Sequence, residues 1–275
     1  MFSEASLSAE LRSLGCGRRP TLLVHASLRS VGTVSGGALT VVRALRDVLG
    51  SDGTLVVPTF TPGNSLTSRT YLARTRGLSK RQLSAYHARM TPFHAASTPS
   101  EGMGAIAEQV RTAVGAARSD HPQTSFAALG PGAKRTVAHH ARDCLLGERS
   151  PLGRLYDGDA DILLLGVGFE VCTAFHLAEY RLPAPTRRYD CRVMGRSGPR
   201  WTSFVDVDLD DSDFGELGRW LETSTRHGRD PVARGRVGAA DSRLIPLRWA
   251  VDGAVAWMAA GRNRPRIPTG RADRA

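Results

Sequence analysis

The chain has 275 residues, 41% of them hydrophobic and 23% charged, a globular mix that excludes a disordered chain. No apolar run approaches the roughly 20 residues that span a bilayer, and the opening MFSEASLSAELRSLG reads as a capped amphipathic helix rather than a secretory leader. The net charge is +11, yet lysine occurs only at Lys80 and Lys134, so all but two of the 37 cations are arginine. That bias looks like GC-rich coding. No nucleic-acid-binding motif accompanies it, and net charge alone fixes no groove or base contact. Cys16, Cys144, Cys172 and Cys191 are scattered without metal-type or CxxC spacing, so reduced thiols and a cytoplasmic protein are expected.

In chain order, Ala5–Leu14 is a helical pattern opened by Ser3 or Ser6, and Thr21–Val24 is an apolar run suited to a buried strand. The polar loop HASLRSVGTVSGG follows. Ala38–Leu49 places Leu39, Val42, Leu45 and Leu49 at helical spacing, and Thr54–Val57 is a second buried strand stopped by Pro58. That order predicts a βαβ unit with parallel strands and a right-handed crossover. Residues 61–99 are rich in Pro, Ser and Arg and predict a long lid excursion with one helix near Ser79–Ala88. Ser100–Val114 reads as a helix, and RSDHPQTSFAALG as half loop and half strand.

Asp161–Val167 is the strongest strand pattern, followed by a helical Ala174–Tyr180. Trp201–Leu209 alternates, with Val205, Val207 and Leu209 on one side and Phe204, Asp206, Asp208 and Asp210 on the other, as in a sheet with one face outside the core. Asp213–Thr225 is a helix capped by Asp211 or Ser212, and Asp241–Ala260 holds a strand and a last helix. The expected architecture is a single α/β domain over residues 1–261, its mixed, mainly parallel central sheet flanked by helices, with a frayed basic tail over residues 262–275.

The stretch Gly32-Thr33-Val34-Ser35-Gly36-Gly37 lies between a strand and a helix, where backbone N–H groups and the helix dipole bind anions. It matches neither a Walker A loop nor GxGxxG, so it predicts either a phosphate or pyrophosphate seat without a metal or a plain glycine-rich turn. His176 and Glu179 stand at i, i+3 on one helix face, just past the strongest strand, where open α/β sheets place ligands. A carboxylate on one imidazole nitrogen fixes the tautomer and leaves the other to accept a proton. The plainer alternative is an ordinary helical His–Glu pair. No second ligand set matches the H-x-x-E spacing, so no metal is expected. Gly166-Val167-Gly168 has Val171 where a nucleotide turn needs its third glycine. His121-Pro122, followed by Ser125, is either a turn or a site element, and His139-His140 reads as surface. The acidic run Asp206, Asp208, Asp210, Asp211 and Asp213 is either a solvated face with a helix cap or a seat for a cationic substrate.

The blocks LLVHASLRSVGTVSGG, TLVVPTF, RSDHPQTSFAALGP, GERSPLGRLY and ILLLGVGFEVCTAFHLAEYRLP, in this order, resemble the antibiotic N-acetyltransferase family typified by aminoglycoside 3-N-acetyltransferases. The resemblance implies an α/β fold unrelated to GNAT acetyltransferases. It also implies acetyl-CoA as donor, a primary amine as acceptor, and no metal. Ser27, Leu28, Arg29, Gly32, Val34, Ser35, Gly36 and Gly37 would then line the pantetheine and pyrophosphate of CoA. His176 falls at the family's catalytic histidine and Glu179 at the glutamate of the same motif. His121, Ser125 and Glu148 fall in blocks near the acetyl group and the acceptor. Asp206 and Asp208, from the acidic run, are the expected seats for acceptor ammonium groups.

The expected acceptor is an aminoglycoside-type antibiotic, as in antibiotic resistance. The alternatives are another amine metabolite, such as an amino-nucleoside or aminophosphonate, in a biosynthetic or self-resistance pathway, or a non-catalytic polyanion-binding protein. Partners are expected to be small molecules, without nucleic acid or membrane, on a monomer or homodimer. The chain departs from the family after VVPTF: many aminoglycoside-acetylating members carry a Trp/Asp-containing stretch there, and this chain has Thr61-Pro62-Gly63-Asn64. Its excursion carries Arg69, Arg74, Arg76, Lys80, Arg81 and Arg89, which suits an anionic group on the acceptor or the 3′-phosphate of CoA. Direct transfer in a ternary complex is expected, with backbone N–H groups near Ser27–Ser30 or the Thr173 region as oxyanion donors. An acetyl-cysteine on Cys172 is the covalent alternative.

Overall fold

A computed structural model describes residues 1–224 and 230–261. The elements in order are α1 (Glu4–Leu14), β1 (Thr21–Ala26), α2 (Leu28–Val31), α3 (Gly37–Leu49), β2 (Thr54–Pro58), α4 (Arg69–Thr75) and α5 (Lys80–Arg89). There follow α6 (Gly104–Arg111), β3 (Ala117–Arg118), β4 (Phe126–Leu129), α7 (Ala133–Val137), α8 (Pro151–Asp157), β5 (Asp161–Leu165) and α9 (Phe175–Glu179). The chain continues with β6 (Thr186–Gly195), β7 (Gly198–Val207), α10 (Phe214–Thr223), β8 (Ala233–Val237), β9 (Ala240–Pro246) and α11 (Leu247–Gly261). The expected tail over residues 262–275 lies outside the described residues.

Seven strands form one mixed sheet in the order β3-β4-β2-β1-β5-β9-β8. β1 runs parallel to β2 (Leu22↔Leu55) and to β5 (Leu23↔Ile162), which makes the predicted βαβ unit its centre. The flanking pairs β2–β4, β3–β4, β5–β9 and β8–β9 are antiparallel. The apolar runs in β2 and β5 are buried throughout because helices cover both faces of a parallel sheet. Side chains alternate between two cores. Leu22, Val24, Leu55, Val57, Leu163 and Leu165 pack with α1, α3 and α6. Leu23, Val56, Ile162 and Leu164 pack with α7, α8, α9 and α11 on the other face. All three central strands therefore leave polar groups only at their ends, and both α2 and α9 lie just beyond the carboxyl ends.

The excursion holds two helices where the sequence predicts one. Ser68 caps α4, and Ser79 caps α5 in a capping box with Gln82. Sparse apolar periodicity hid α4, of which only Tyr71 is buried. The excursion docks on the β6–β7 hairpin. Asn64 Nδ2 donates to the Arg192 carbonyl (2.6 Å) and Asn64 Oδ1 accepts from the Arg192 N–H (2.8 Å). The Arg192 guanidinium donates to the carbonyls of His87, Ala88 and Met90, closing the C-terminus of α5.

The hairpin also reverses one expectation. Phe204 and Asp206 face inward, and Val205 is 62% exposed. The core wants Tyr189, Cys191, Val193 and Phe204 together, and that fixes the register of the whole strand.

Candidate active site

Past the carboxyl end of β5 the chain makes a short 3₁₀ turn at Phe169–Val171 and enters α9. There the His176 Nδ1–H donates to Glu179 Oε2 at 2.6 Å. Glu179 Oε1 accepts the Asp210 N–H at 3.0 Å, so the carboxylate is held at both oxygens and is 4% exposed. The Phe214 ring lies 4.7 Å from the imidazole, centroid to centroid. With Nδ1 protonated by this geometry, a neutral His176 carries its lone pair on Nε2, which takes no hydrogen bond from the described residues. The pair thus has the direction and the free nitrogen of a general base.

Ser27 caps α2, its Oγ accepting from the Ser30 N–H, so its hydroxyl is engaged locally. Arg29 is exposed. The glycine loop is pinned by the first residues of the chain: Phe2 N–H donates to the Thr33 carbonyl, and Ser35 N–H to the Phe2 carbonyl. α3 then begins at Gly37 with no side-chain cap on its N-terminus. Gly37 has φ +62, and a Cβ there would meet nothing within 4 Å. Exposed N–H groups, a helix dipole and open space fit a pyrophosphate.

A cavity of about 140 Å³ opens at the carboxyl ends of the parallel strands, lined by Val57, Phe60, Met103, Ile106, His25 and Thr173 among others. Its apolar walls fit a pantetheine arm. His25 and its cavity escape sequence reasoning because a histidine inside an apolar run reads as strand filler.

Other expected site residues turn out to be occupied internally. His121 is 1% exposed; its Nδ1 accepts from the Gln123 and Thr124 N–H groups and its Nε2–H donates to the Arg142 carbonyl, so it closes a turn. His140, expected at the surface, is buried and stacks on His121 at 4.6 Å. It packs inward because its Nε2–H finds the carbonyls of Cys144 and Leu145. Ser125 is buried, donating to the Thr59 carbonyl and accepting from Arg118.

Asp206 is not an exposed cation seat. It is 8% exposed, and its Oδ2 accepts from the Leu145 N–H and the Tyr180 hydroxyl, both at 2.6 Å. It ties the segment before Gly147 to the residue that follows Glu179. Asp208 pairs with Arg187 (2.8 Å), Asp211 with Arg69 (2.6 Å) and Glu148 with Arg181 (2.7 Å). Cys172 is fully buried, and burial pushes its thiol up to about 12, which disfavours the thiolate a covalent route needs. No group of three or more His, Cys, Asp or Glu able to hold a metal occurs among the described residues. No helix among them is long and apolar enough to cross a membrane.

The family model for aminoglycoside 3-N-acetyltransferases matches residues 23–259. Aminoglycoside N(3)-acetyltransferase VII of Streptomyces paromomycinus is 36% identical over 275 residues, 96% of this chain and 94% of that one. The aminoglycoside N(3')-acetyltransferase-like protein YokD of Bacillus subtilis is 33% identical over 270 residues, 93% of this chain and 92% of its own. The crystal structure of YokD matches with a TM-score of 0.85 and 32% identity, covering 94% of this chain and 99% of that one. AAC-IIIb, solved as a binary complex with CoASH, matches with a TM-score of 0.81 and 25% identity over 96% and 99% of the two chains. The chain belongs to the aminoglycoside 3-N-acetyltransferase family, whose named members are acyltransferases.

Two stability predictions follow from the buried polar groups. Asp206→Ala strands two donors and should cost about 2–5 kcal/mol, whereas Asp208→Ala breaks a half-exposed pair and should cost under about 1 kcal/mol. Urea melts of both variants check the contrast, and equal losses would refute it. The second prediction concerns acid. Burial lowers His25 and His140 from 6.5 to about 4, and burial with the stacked His140 lowers His121 well below 6.5. Above pH 6.5 all three are neutral in both states; between 6.5 and about 4 the unfolded chain takes up protons the native one refuses, so stability falls with pH. His25 and His140 each account for on the order of 3 kcal/mol across that window, and His121 acts in the same direction. Asp161, raised by burial to about 6, works the other way and offsets one of them. A net loss of several kcal/mol between pH 7 and pH 4.5 is expected in denaturant melts, and a flat profile would contradict it.

Proposed function

We propose that the protein transfers an acetyl group from acetyl-CoA to a primary amine of an aminoglycoside-class acceptor, with His176 as general base and Glu179 holding its tautomer. The observation that carries this reading is the 2.6 Å bond from His176 Nδ1 to a buried Glu179, in a chain of this family. Acetyl-CoA supplies an activated thioester. The uncapped start of α3 and its left-handed Gly37 would hold the pyrophosphate, with the apolar cavity at the strand ends taking the pantetheine arm. An amine near pH 7 is mostly protonated and unreactive. Once one proton has gone to solvent, the neutral amine attacks; His176 Nε2 takes a second N–H proton as the N–C bond forms and returns it to the sulfur as the C–S bond breaks. His176→Ala should lower turnover by about 10²–10⁴-fold and Cys172→Ala by less than about threefold, both with CoASH binding retained. Thiol release from acetyl-CoA over an aminoglycoside panel measures this; a His176→Ala enzyme within threefold of wild type would remove the base.

For the acceptor, the support lies under the excursion. A cavity of about 460 Å³ is lined by Gly63, Asn64, Arg74, Gln82, Tyr86 and Glu101. A Cβ at Gly63 would stand 2.6 Å from the Glu101 carboxylate oxygens. Glu101 thus brings a carboxylate to the stretch that lacks one in its own sequence. Its ion pair with Arg74 is long, at 3.4 Å, and half-exposed, so an acceptor ammonium can compete for it. An ammonium–carboxylate bond there should contribute roughly 1–3 kcal/mol. Glu101→Gln should therefore raise the acceptor KM about fivefold to a hundredfold and leave the acetyl-CoA KM unchanged. An acceptor KM that does not move, or one that falls, would favour an anionic acceptor held by Arg74 and Arg89.

A further inference from the structure

The cavity at the carboxyl ends of the parallel strands has two polar side chains in its lining, His25 from β1 and Thr173 from the turn before α9. Both are buried, and Thr173 Oγ1 lies 3.3 Å from His25 Nε2. The Thr173 carbonyl accepts the His176 N–H at 3.1 Å, so this hydroxyl is tied by backbone to the turn that carries the base. His25 stays neutral because burial lowers it to about 4, and a neutral imidazole has one N–H to give. If that N–H is on Nε2, it donates to Thr173 Oγ1, and the threonine's own hydrogen is left to point into the cavity. If it is on Nδ1, the hydroxyl is spent on Nε2. The other walls are apolar, so a hydrogen bond made inside is little weakened by water. Gly102 and Met103 line the same space at the start of α6, which has no side-chain cap, so the positive end of that helix dipole borders it.

We propose that Thr173 is a catalytic residue that donates a hydrogen bond to the carbonyl oxygen of the acyl donor, and that His25 is a positioning residue that turns the Thr173 hydroxyl into the cavity. The inference rests on the acetyl-transfer reading above. As the amine nitrogen bonds to the carbonyl carbon, negative charge gathers on that oxygen and leaves it again when the C–S bond breaks. Thr173 keeps its proton throughout, and the amine proton travels through His176 alone. A preorganised donor to such an oxygen is worth about 10²–10³-fold in kcat.

The test uses the full chain. Thr173→Val removes the hydroxyl at constant shape and should lower kcat by about 10²–10³-fold with the acetyl-CoA KM and the CoASH affinity by calorimetry little changed. Thr173→Ser should restore most of the rate. His25→Leu should lose kcat with Thr173→Val non-additively, and His25→Gln, whose amide N–H replaces Nε2–H, should recover much of it. A readout independent of turnover is the carbonyl stretch of isotope-labelled acetyl-CoA bound without acceptor. It should sit at lower wavenumber on wild type than on Thr173→Val. Turnover within threefold and an unshifted carbonyl band in Thr173→Val, with CoASH still bound, would overturn the proposal. A wild-type chain that binds CoASH yet releases no thiol with any amine would instead overturn the acetyl-transfer reading beneath it.

Discussion

One hydrogen bond, from His176 Nδ1–H to Glu179 Oε2, decides which way the imidazole faces, and much of the surrounding structure serves to keep that carboxylate still. Its second oxygen is taken by the Asp210 N–H. The residue after Glu179, Tyr180, is anchored through its hydroxyl to Asp206, which also receives the Leu145 N–H. The Phe214 ring closes one side of the imidazole. A five-residue helix such as α9 has too few internal hydrogen bonds to be stable alone, and here tertiary anchors on both sides hold it.

Charge is arranged as compensation rather than as a field. The arginines of the excursion and the aspartates of the acidic run read as opposites competing to define the substrate, yet Arg69 of the one pairs with Asp211 of the other, while Arg187 of β6 pairs with Asp208 and Arg74 with Glu101. Most of these side chains are well exposed, so each pair adds little stability.

The sequence made the central βαβ unit legible because its apolar runs are continuous and Gly50 and Pro58 close α3 and β2; β1, α3 and β2 lie within two residues of the expected bounds. The His–Glu pair was legible from its i, i+3 spacing beyond the strongest strand. Asp206 was misread because period-two alternation gives two faces without saying which is inside, and Phe204 on the same face pulled it into the core. His140 was misread for a related reason: polarity suggests exposure, while the free carbonyls of Cys144 and Leu145 that bury it come from a loop with no pattern of its own. Strand β6 went unseen because it alternates arginine and aspartate with its apolar residues, and it makes its ten-residue ladder only with β7. Glu101 and Gly63 lie far apart along the chain, and only the fold makes them neighbours.

The latch between Asn64 and Arg192 joins residues 128 positions apart. Contacts of such long sequence separation carry a high loop-closure entropy and tend to form after local ones. The β1–α3–β2 unit, whose pairings span a short stretch of chain, can assemble without them. The cavity proposed for the acceptor is lined by the segment that this latch ties down, so closing it carries the loop entropy of a long-range contact. The glycine loop proposed for the donor pyrophosphate lies between β1 and α3, inside that local unit. The loop proposed for the donor pyrophosphate therefore rests on short-range pairings, and the cavity proposed for the acceptor on long-range ones.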